Sequence, residues 1–274
     1  MPTSAPLPTF FIPHGGGPCF FMEWTHPSPN PWTGLEAWLR ALPEAVGVKP
    51  RAVLVISAHW ESEAIALNVQ AAPPLLFDYY NFPEHTYHLK YPAPGAPALA
   101  RDVAGLLKEA GFDVVEERER GLDHGVFVPF LLIYPEADIP VLQMSLRRDL
   151  DPAAHLALGA ALAPLRRAGV LIVGSGMSYH NMRQISFTNA LAEGTETFDA
   201  WLTEAVCADP ATRNAALAAW EKAPAARLAH PREEHLLPLM VAAGAAGDDI
   251  GQRTFSDRML GWDVSAFQFG ETVR

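Results

Sequence analysis

The sequence predicts an α/β protein with a central, mostly parallel or mixed sheet that is flanked by helices. Short segments rich in β-branched and aromatic residues alternate with segments of helical character, which is the pattern of α/β proteins. Several of the strand-like segments are apolar at nearly every position, as strands covered on both faces are. Neither an internal repeat nor a linker-like tract divides the 274 residues, so we expect a single domain over residues 1–274.

Predicted strands and helices follow one another along most of the chain. Strands are predicted at 9–13, 52–58, 65–69, 112–117, 139–146 and 169–175. Helices are predicted at 34–42 and 97–110, where apolar residues share one face, and at 152–168, which is rich in Ala and Leu. Gly111 and Gly169 follow two of these helices at positions where helices commonly end. We expect residues 189–246 to be mostly helical and residues 255–269 to be extended.

Composition narrows the classes of function. The formal net charge is −11 and no basic cluster is present, which argues against binding of nucleic acid or of an anionic membrane surface. No apolar stretch approaches the length of a membrane span, and the N-terminal residues lack the features of a signal peptide, so we expect a cytoplasmic protein. The two cysteines, Cys19 and Cys207, are too few for a disulfide framework and are expected to be buried or incidental thiols.

Three of the ten histidines lie just beyond predicted strands. His14 follows TFFIP and precedes three glycines, His59 follows AVLVISA, and His180 comes shortly after GVLIVGS. In open α/β sheets, ligands bind in the crevice outside the carboxyl ends of the strands. If these strands are parallel, the three imidazoles converge there. The glycines after His14 indicate that the backbone closely approaches another group.

Two further histidines are candidates for the same crevice. His124 begins an apolar helix, and His235 is predicted to lie in the first turn of another. A lone histidine after a strand is usually a structural polar residue, but the repeated placement beside Gly or Ser favours a function. Catalytic metal sites keep about three protein ligands, and other histidines can act as acid and base near neutral pH. The remaining histidines show no such placement: His26, His85, His88, His155 and His230. Two of them, His85 and His88, lie in the loop at 80–95 and are kept as candidates for the substrate side.

Six motifs, in order along the chain, carry a resemblance to a known family. They are HGGGP at 14–18, SAHWE at 57–61, YNFPEHTYHLKYPAPG at 80–95, LDHGVFVPF at 122–130, SGMSYHN at 175–181 and REEHLLP at 232–238. Together they resemble the class III extradiol ring-opening dioxygenases, and most closely the 4,5-DOPA-dioxygenase-like branch. The motifs span residues 14–238, so the resemblance covers nearly the whole chain and implies a single catalytic domain over residues 1–274.

The resemblance implies roles for five histidines. His14, His59 and His235 fall at the metal-ligand positions of that branch. His180 falls at a histidine close to the metal, as a base or as a possible fourth ligand. His124 falls at a second active-site histidine. We expect His180 to take a proton from the catechol hydroxyl, and His124 to orient substrate or oxygen and to donate a proton later.

The resemblance specifies the metal ion and the substrate-binding residues less precisely than it specifies the histidines. Other class III enzymes bind Fe(II) with two histidines and a glutamate, whereas the third position here is His235, although Glu233 and Glu234 precede it. Three imidazoles suit one divalent ion, Zn²⁺ or Fe²⁺, with Fe²⁺ expected for oxygen chemistry and Zn²⁺ plausible as the bound ion. On the substrate side, an aromatic pocket is expected from Tyr80, Phe82 and His85, and a Pro-ordered surface loop is the alternative.

The implied activity is the opening of a catechol-type ring, DOPA-like or related, with incorporation of both atoms of O₂. Two alternatives are a zinc-dependent hydrolase and a non-enzymatic binding scaffold of the same fold. A serine esterase is a further rival, because HGGG also forms the oxyanion hole of some lipases. That function needs a G-x-S-x-G elbow, and the segment around Ser175 has Val173 at the position of the first glycine.

Overall fold

The computed structural model describes residues 5–26, 28–188 and 190–274, and its strands form one mixed sheet. In chain order the strands are β1 Thr9–Pro13, β2 Ala52–Ser62, β3 Ile65–Asn68, β4 Val114–Glu117, β5 Val141–Arg147, β6 Val170–Gly176, β7 Gly251–Met259 and β8 Trp262–Phe269. Their order across the sheet is β4-β3-β5-β2-β6-β1-β8-β7. The four neighbours β5, β2, β6 and β1 are parallel, while β8 and β7 form an antiparallel hairpin beside β1. The predicted fold class is confirmed.

Helices cover both faces of this sheet, as the alternating pattern predicts. In chain order they are α1 Thr33–Val46, α2 Pro97–Glu109, α3 His124–Ile133, α4 Pro152–Leu162, α5 Pro164–Arg167, α6 Thr195–Cys207, α7 Pro210–Ala218, α8 Ala226–Ala229 and α9 Leu237–Ala246. The single helix predicted over 152–168 divides at Pro164, because proline lacks the N–H that a continuous helix needs. Within the described ranges, no helix is both long and apolar enough to cross a bilayer.

The central strands and α9 form the core. Every residue of β1, β6 and α9 is buried, and β2 is buried from Ala52 to Ala58. A buried helix must find donors for its last carbonyls. Arg213 supplies them to the carbonyls of Ala243 and Gly247 at 3.2 and 2.8 Å, and Arg166 to that of Ala246 at 2.9 Å. The two guanidinium groups therefore hold the C-terminal end of α9 in place.

Two glycines of β6 determine how closely the start of α9 packs on the sheet. A Cβ atom on Gly174 would lie 2.2 Å from the carbonyl oxygen of Pro238, and one on Gly176 would lie 2.1 Å from that of His235. The N–H of Met177 donates to the His235 carbonyl at 3.0 Å. Because both positions lack a side chain, the turn that carries His235 lies directly on the carboxyl end of β6.

Candidate metal centre and active-site cavity

The carboxyl ends of β2, β6 and β1 meet at one edge of the sheet, since these strands are adjacent and parallel. His14 directly follows β1, and His180 lies four residues beyond β6. His59 lies within β2 and not after it, where the register against β5 shifts between Ile56 and Glu61. Such an irregularity bends the strand and redirects its side chains. The expected convergence at this edge is observed.

His235 joins these histidines from a different element than expected. It lies in a turn and not in the first turn of a helix, because α9 begins only at Leu237. The potential ligand atoms of His14, His59 and His235 lie within 4.8 Å of one another. The Nε2 atoms of His14 and His59 are 3.2 Å apart. Two tetrahedral ligands with bonds of about 2.0–2.1 Å are separated by about 3.3 Å, so this spacing suits a shared metal ion.

Hydrogen bonds on the far side of two imidazoles turn Nε2 toward the centre of the cluster. His14 donates from Nδ1 to the carbonyl of Gly15 at 2.8 Å, and His235 donates from Nδ1 to Oε1 of Glu234 at 3.0 Å. Metal-ligating histidines commonly make such outer contacts. The Nε2 atom of His235 is buried and lacks a hydrogen-bond partner among the described residues. This donor set fits a divalent metal ion.

The three imidazoles of the cluster are neutral, as those of a metal site are. Burial, and after it the neighbouring histidines, lowers the pKa of His14, His59 and His235 well below its ordinary value. Each imidazole is therefore neutral near pH 7, which is the form that binds metals. Burial also raises the pKa of the Glu234 carboxyl, which accepts the hydrogen bond from His235.

His180 packs on the cluster without belonging to the group of three. Its ring stacks on that of His235, with 3.4 Å between centroids and 15° between planes. Its Nδ1 lies 3.8 Å from Oε1 of Glu234, which is beyond hydrogen-bonding distance, and His180, Glu234 and His235 form a second possible set of ligands. Burial, followed by the charge of His124, lowers the pKa of His180 to about 4. The ring is a neutral base near pH 7.

His124 packs against two of the clustered histidines, His59 and His14. As the first residue of α3, it lies with its ring centroid 4.0 Å from that of His59 and 5.3 Å from that of His14. Asp78 accepts hydrogen bonds from its Nδ1 at 2.7 Å and from its backbone N–H at 3.0 Å. Burial alone would raise the pKa of Asp78, but the hydrogen bonds and charge of His124 outweigh burial and lower it. Sequence reasoning missed Asp78, whose one signal is an acid between aromatic residues.

A buried polar network beneath the cluster ties β2 to α3. Oδ1 of Asp123 accepts from the Ser57 hydroxyl at 2.7 Å, and its other oxygen accepts from the amide of Gln143. Arg120 donates to the carbonyl of His59 at 2.9 Å and lies 3.4 Å from Asp123. Burial, and after it the charge of Asp78, raises the pKa of Asp123. This network was also missed, and its signal is an isolated acid inside an apolar segment.

A cavity of about 540 Å³ opens over the histidines. Its wall includes Trp32, Tyr79 and Phe82. The glycines after His14 make room for this wall: a Cβ atom on Gly15 would lie 2.5 Å from Sγ of Cys19, and one on Gly17 would lie 2.9 Å from Phe82. Both glycines have positive φ, which favours glycine. The close approach that the sequence indicates is thus made by side chains of the cavity wall.

The substrate-side residues predicted from sequence divide into two groups. Tyr80 and Phe82 line the cavity, with Tyr80 at its exposed mouth. His85 does not line it, because its Nε2 is hydrogen-bonded to the carbonyl of Phe21 at 2.9 Å on the exposed side of the loop. His26, which the sequence placed among structural histidines, lies on the rim and stacks on Phe187 with 4.6 Å between ring centroids.

Comparison with known proteins gives a consistent set of relatives. Residues 8–264 match a family model described as the catalytic LigB subunit of aromatic ring-opening dioxygenase. A 4,5-DOPA dioxygenase extradiol of Beta vulgaris is 40% identical over 265 residues, covering 96% of this chain and 94% of the relative. A dioxygenase of Hapsidospora irregularis, tasH, is 37% identical over 96% of this chain and 85% of its own length. The crystal structure of an uncharacterized protein from Escherichia coli K12 superposes with a TM-score of 0.79 at 25% identity, covering 96% of this chain and 100% of that chain.

Proposed function

This chain belongs to the LigB family, the catalytic subunits of aromatic ring-opening dioxygenases, and on that premise we propose how its own residues open the ring. It is an extradiol dioxygenase, an oxidoreductase that incorporates both atoms of O₂ into an aromatic substrate. The relatives named 4,5-DOPA dioxygenase extradiol support a catechol-type substrate. The continuous eight-stranded sheet supports a single catalytic domain over residues 1–274.

The observation that carries the proposal is the set of ligand atoms of His14, His59 and His235, with the Nε2 of His235 buried and unpartnered among the described residues. We propose that these three residues hold one divalent ion. Three imidazoles suit zinc and iron alike, and oxygen chemistry favours Fe²⁺ because Zn²⁺ has no redox activity. When bound, the ion supplies a shared binding point for the catechol oxygens and O₂ and a path for electrons between them.

Side chains around the metal site carry out the proton transfers and orient the substrate. His180, neutral near pH 7, takes the proton from a catechol hydroxyl. His124 turns its Nε2 toward the cavity because its Nδ1 is bound to Asp78. Nε2 of His124 takes the proton of the second catechol hydroxyl, the Asp78 carboxylate stabilises the resulting positive charge, and His124 returns that proton to the product as the ring opens. The aromatic wall formed by Trp32 and Phe82 orients the substrate ring and keeps water from its reacting edge.

A serine hydrolase does not fit the same geometry. The Ser175 hydroxyl is buried and donates to the carbonyl of Gly125 at 2.5 Å, so it faces no histidine base. A cytoplasmic location is part of the proposal. It is supported by the two unpaired cysteines, Cys19 and Cys207, as reducing compartments keep thiols free.

Anaerobic loading with Fe²⁺ or Zn²⁺, followed by oxygen-electrode measurements with a panel of catechols, tests the proposal. We expect oxygen consumption only with Fe²⁺, at one O₂ per ring opened. Oxygen uptake no faster than in metal-free protein, for every catechol, would contradict the catechol proposal. The double variant His14→Ala, His59→Ala is expected to lose stoichiometric metal, and metal retained at one ion per chain would remove these residues as ligands.

A further inference from the structure

The cavity above the histidines is strongly apolar, and its described wall contains neither lysine nor arginine. Among the described residues that line it, the non-histidine wall is dominated by groups such as Trp32, Phe82, Ile185 and Leu260. Neither Lys nor Arg is among these lining residues. The one carboxylate among them is that of Glu23, which is exposed at the rim.

Three arginines that neighbour the histidines in the chain or in space do not line the cavity. Arg120 lies beneath the cluster, where it binds the carbonyl of His59 and Asp123. Arg232 is paired with Glu61 at 2.6 Å on the surface. Arg183 follows the rim residue Met182 in the chain and does not line the cavity. Among the described residues of this wall, a carboxylate on a bound substrate would therefore find neither a lysine nor an arginine as a partner.

An unpaired carboxylate is disfavoured here for two further reasons. Moving an ionised carboxylate from water into an apolar site without a partner is costly. Glu23 and the net charge of −11 add repulsion, which acts already during the approach of an anion. A neutral substituent avoids both effects.

The rim of the cavity offers apolar surface that a substituent can cover. Tyr80, Met182 and Phe187 line the cavity and are large apolar side chains with exposed fractions of 80%, 62% and 48%. Phe187 also packs against Trp24, with 6.3 Å between ring centroids, so the loops on either side of the mouth are in contact. Covering this surface removes apolar area from water and is favourable. The volume of about 540 Å³ lies in the range of about 300–1,000 Å³ typical for drug-sized ligands, so space remains beyond a single ring.

We propose that this dioxygenase selects catechols whose ring substituent is apolar and bears no carboxylate, so that an amino acid such as DOPA is a poor substrate. The inference rests on the proposed catechol function and adds the chemistry of the substituent. The ring lies against Phe82 and Trp32, and the apolar substituent extends from it to Met182 and Phe187 at the rim.

Four catechols that carry one short substituent para to a hydroxyl test the proposal on the Fe²⁺-loaded enzyme: 4-propylcatechol, dopamine, 3-(3,4-dihydroxyphenyl)propionate and DOPA. We expect kcat/KM for 4-propylcatechol to exceed that for the propionate and for DOPA by about tenfold or more, which corresponds to about 1.4 kcal/mol. The kcat/KM for dopamine is expected to lie between that for 4-propylcatechol and those for the two carboxylates. Higher ionic strength should narrow the gap by screening the long-range repulsion. Equal or higher kcat/KM for either carboxylate would overturn the proposal.

Variants locate the selectivity at the rim. Glu23→Gln is expected to reduce the disadvantage of the propionate about two- to fivefold, while Glu109→Gln, which changes another exposed carboxylate, on α2 outside the cavity, leaves it unchanged. Phe187→Ala should lower the preference for 4-propylcatechol, and Ile250→Ala, which is exposed away from the cavity, should not. Selectivity unaffected by both rim variants would contradict the assignment.

Binding without turnover separates this inference from the proposed function. Trp24 and Trp32 line the cavity, so quenching of tryptophan fluorescence reports ligand binding directly. If no catechol is oxidised but 4-propylcatechol still binds about tenfold more tightly than the propionate, the catechol function fails and the selectivity stands. If all four catechols are oxidised with equal kcat/KM, the function stands and the selectivity fails.

Discussion

Asp78 holds His124 by two hydrogen bonds that converge on one carboxylate oxygen. Its Oδ1 accepts from Nδ1 of the imidazole at 2.7 Å and from the backbone N–H of the same residue at 3.0 Å. The first contact fixes the tautomer and aims Nε2 into the cavity, while the second satisfies a free N–H at the start of α3. A loop carboxylate thus determines both the position and the tautomer of a histidine beside the metal cluster.

The substitution Asp78→Asn is expected to lower kcat by about 10²-fold or more at full metal content, because the neutral amide neither fixes the tautomer nor stabilises a protonated His124. Steady-state oxygen uptake at matched iron content measures the effect. Asp138→Asn, which changes an exposed carboxylate paired with Lys49, is the control, and its turnover should equal that of wild type. Turnover of Asp78→Asn within twofold of wild type would show that the hydrogen bond is only structural.

The two proton carriers are distinguished by paired substitutions. His180→Gln and His124→Gln should each reduce turnover by about 10²–10⁴-fold, the usual effect of removing a general acid or base. His124→Gln is expected to keep its metal, whereas a reduced metal content in His180→Gln would make His180 a fourth ligand. Near-wild-type turnover in His180→Gln would remove it as the base, and the same result for His124→Gln would leave that residue a structural role at the start of α3.

Glu234→Gln tests the outer contact of His235. The amide oxygen can still accept from Nδ1, but it lacks the charge that strengthens the imidazole as a ligand, so metal affinity should fall by about 10–100-fold. Competition with a chromophoric chelator measures this affinity. Glu233→Gln is the adjacent control, because Glu233 pairs with Arg227 at 2.6 Å and does not contact the cluster. Equal affinities in both variants would contradict the role of Glu234.

Gly176→Ala is expected to displace His235. The new Cβ would lie 2.1 Å from the His235 carbonyl oxygen, so the turn must move off β6, at a cost of about 1–3 kcal/mol or more in stability and with weaker metal binding. Thermal unfolding of metal-free protein and chelator competition measure the two effects. Gly105→Ala in α2, where a Cβ meets nothing within 4 Å, should be neutral or stabilising by up to about 1 kcal/mol. Unchanged metal affinity in Gly176→Ala would show that the turn tolerates the shift.

His155 contributes a pH dependence of stability that is independent of the metal site. It is fully buried, donates from Nδ1 to the carbonyl of Asp151 at 2.7 Å and accepts at Nε2 from the N–H of Arg147 at 3.1 Å. Burial lowers its pKa in the folded state, so below pH 6.5 the unfolded chain binds a proton that the folded chain does not. Its contribution to stability is complete above pH 6.5 and is lost as pH falls toward the folded-state pKa, by up to about 1.4 kcal/mol per pH unit.

Urea unfolding of metal-saturated protein between pH 8 and pH 5 measures this slope. His155→Gln is less stable at high pH but should lose less stability on acidification than wild type. If the free energy of unfolding depends on pH equally in His155→Gln and wild type, His155 is protonated to the same extent in the folded and unfolded states.

Much of this architecture could be predicted because it depends on local pattern. The continuous apolar segments of β1, β2 and β6 indicate buried strands. Ligands bind outside the carboxyl ends of parallel strands, and this rule predicts from the sequence that His14, His59 and His180 lie close together. Boundaries were less accurate. The bulged end of β2 includes His59, and α9 begins after His235, because both features depend on neighbouring strands and on space left by Gly176.

By itself, the sequence determined the fold class, the order of most elements, the three histidines of the cluster and the two that pack against it, since periodicity and residue chemistry act over a few neighbouring positions. Only the tertiary structure decided which groups surround them. Asp78 reaches His124 across 46 residues, and Phe187 meets His26 at the rim from a distant loop. No local pattern encodes such contacts, because they form only when packing of the sheet and helices brings separate loops to one edge. The tautomers, the neutral imidazoles and the absence of a cation from the described cavity wall follow from that packing.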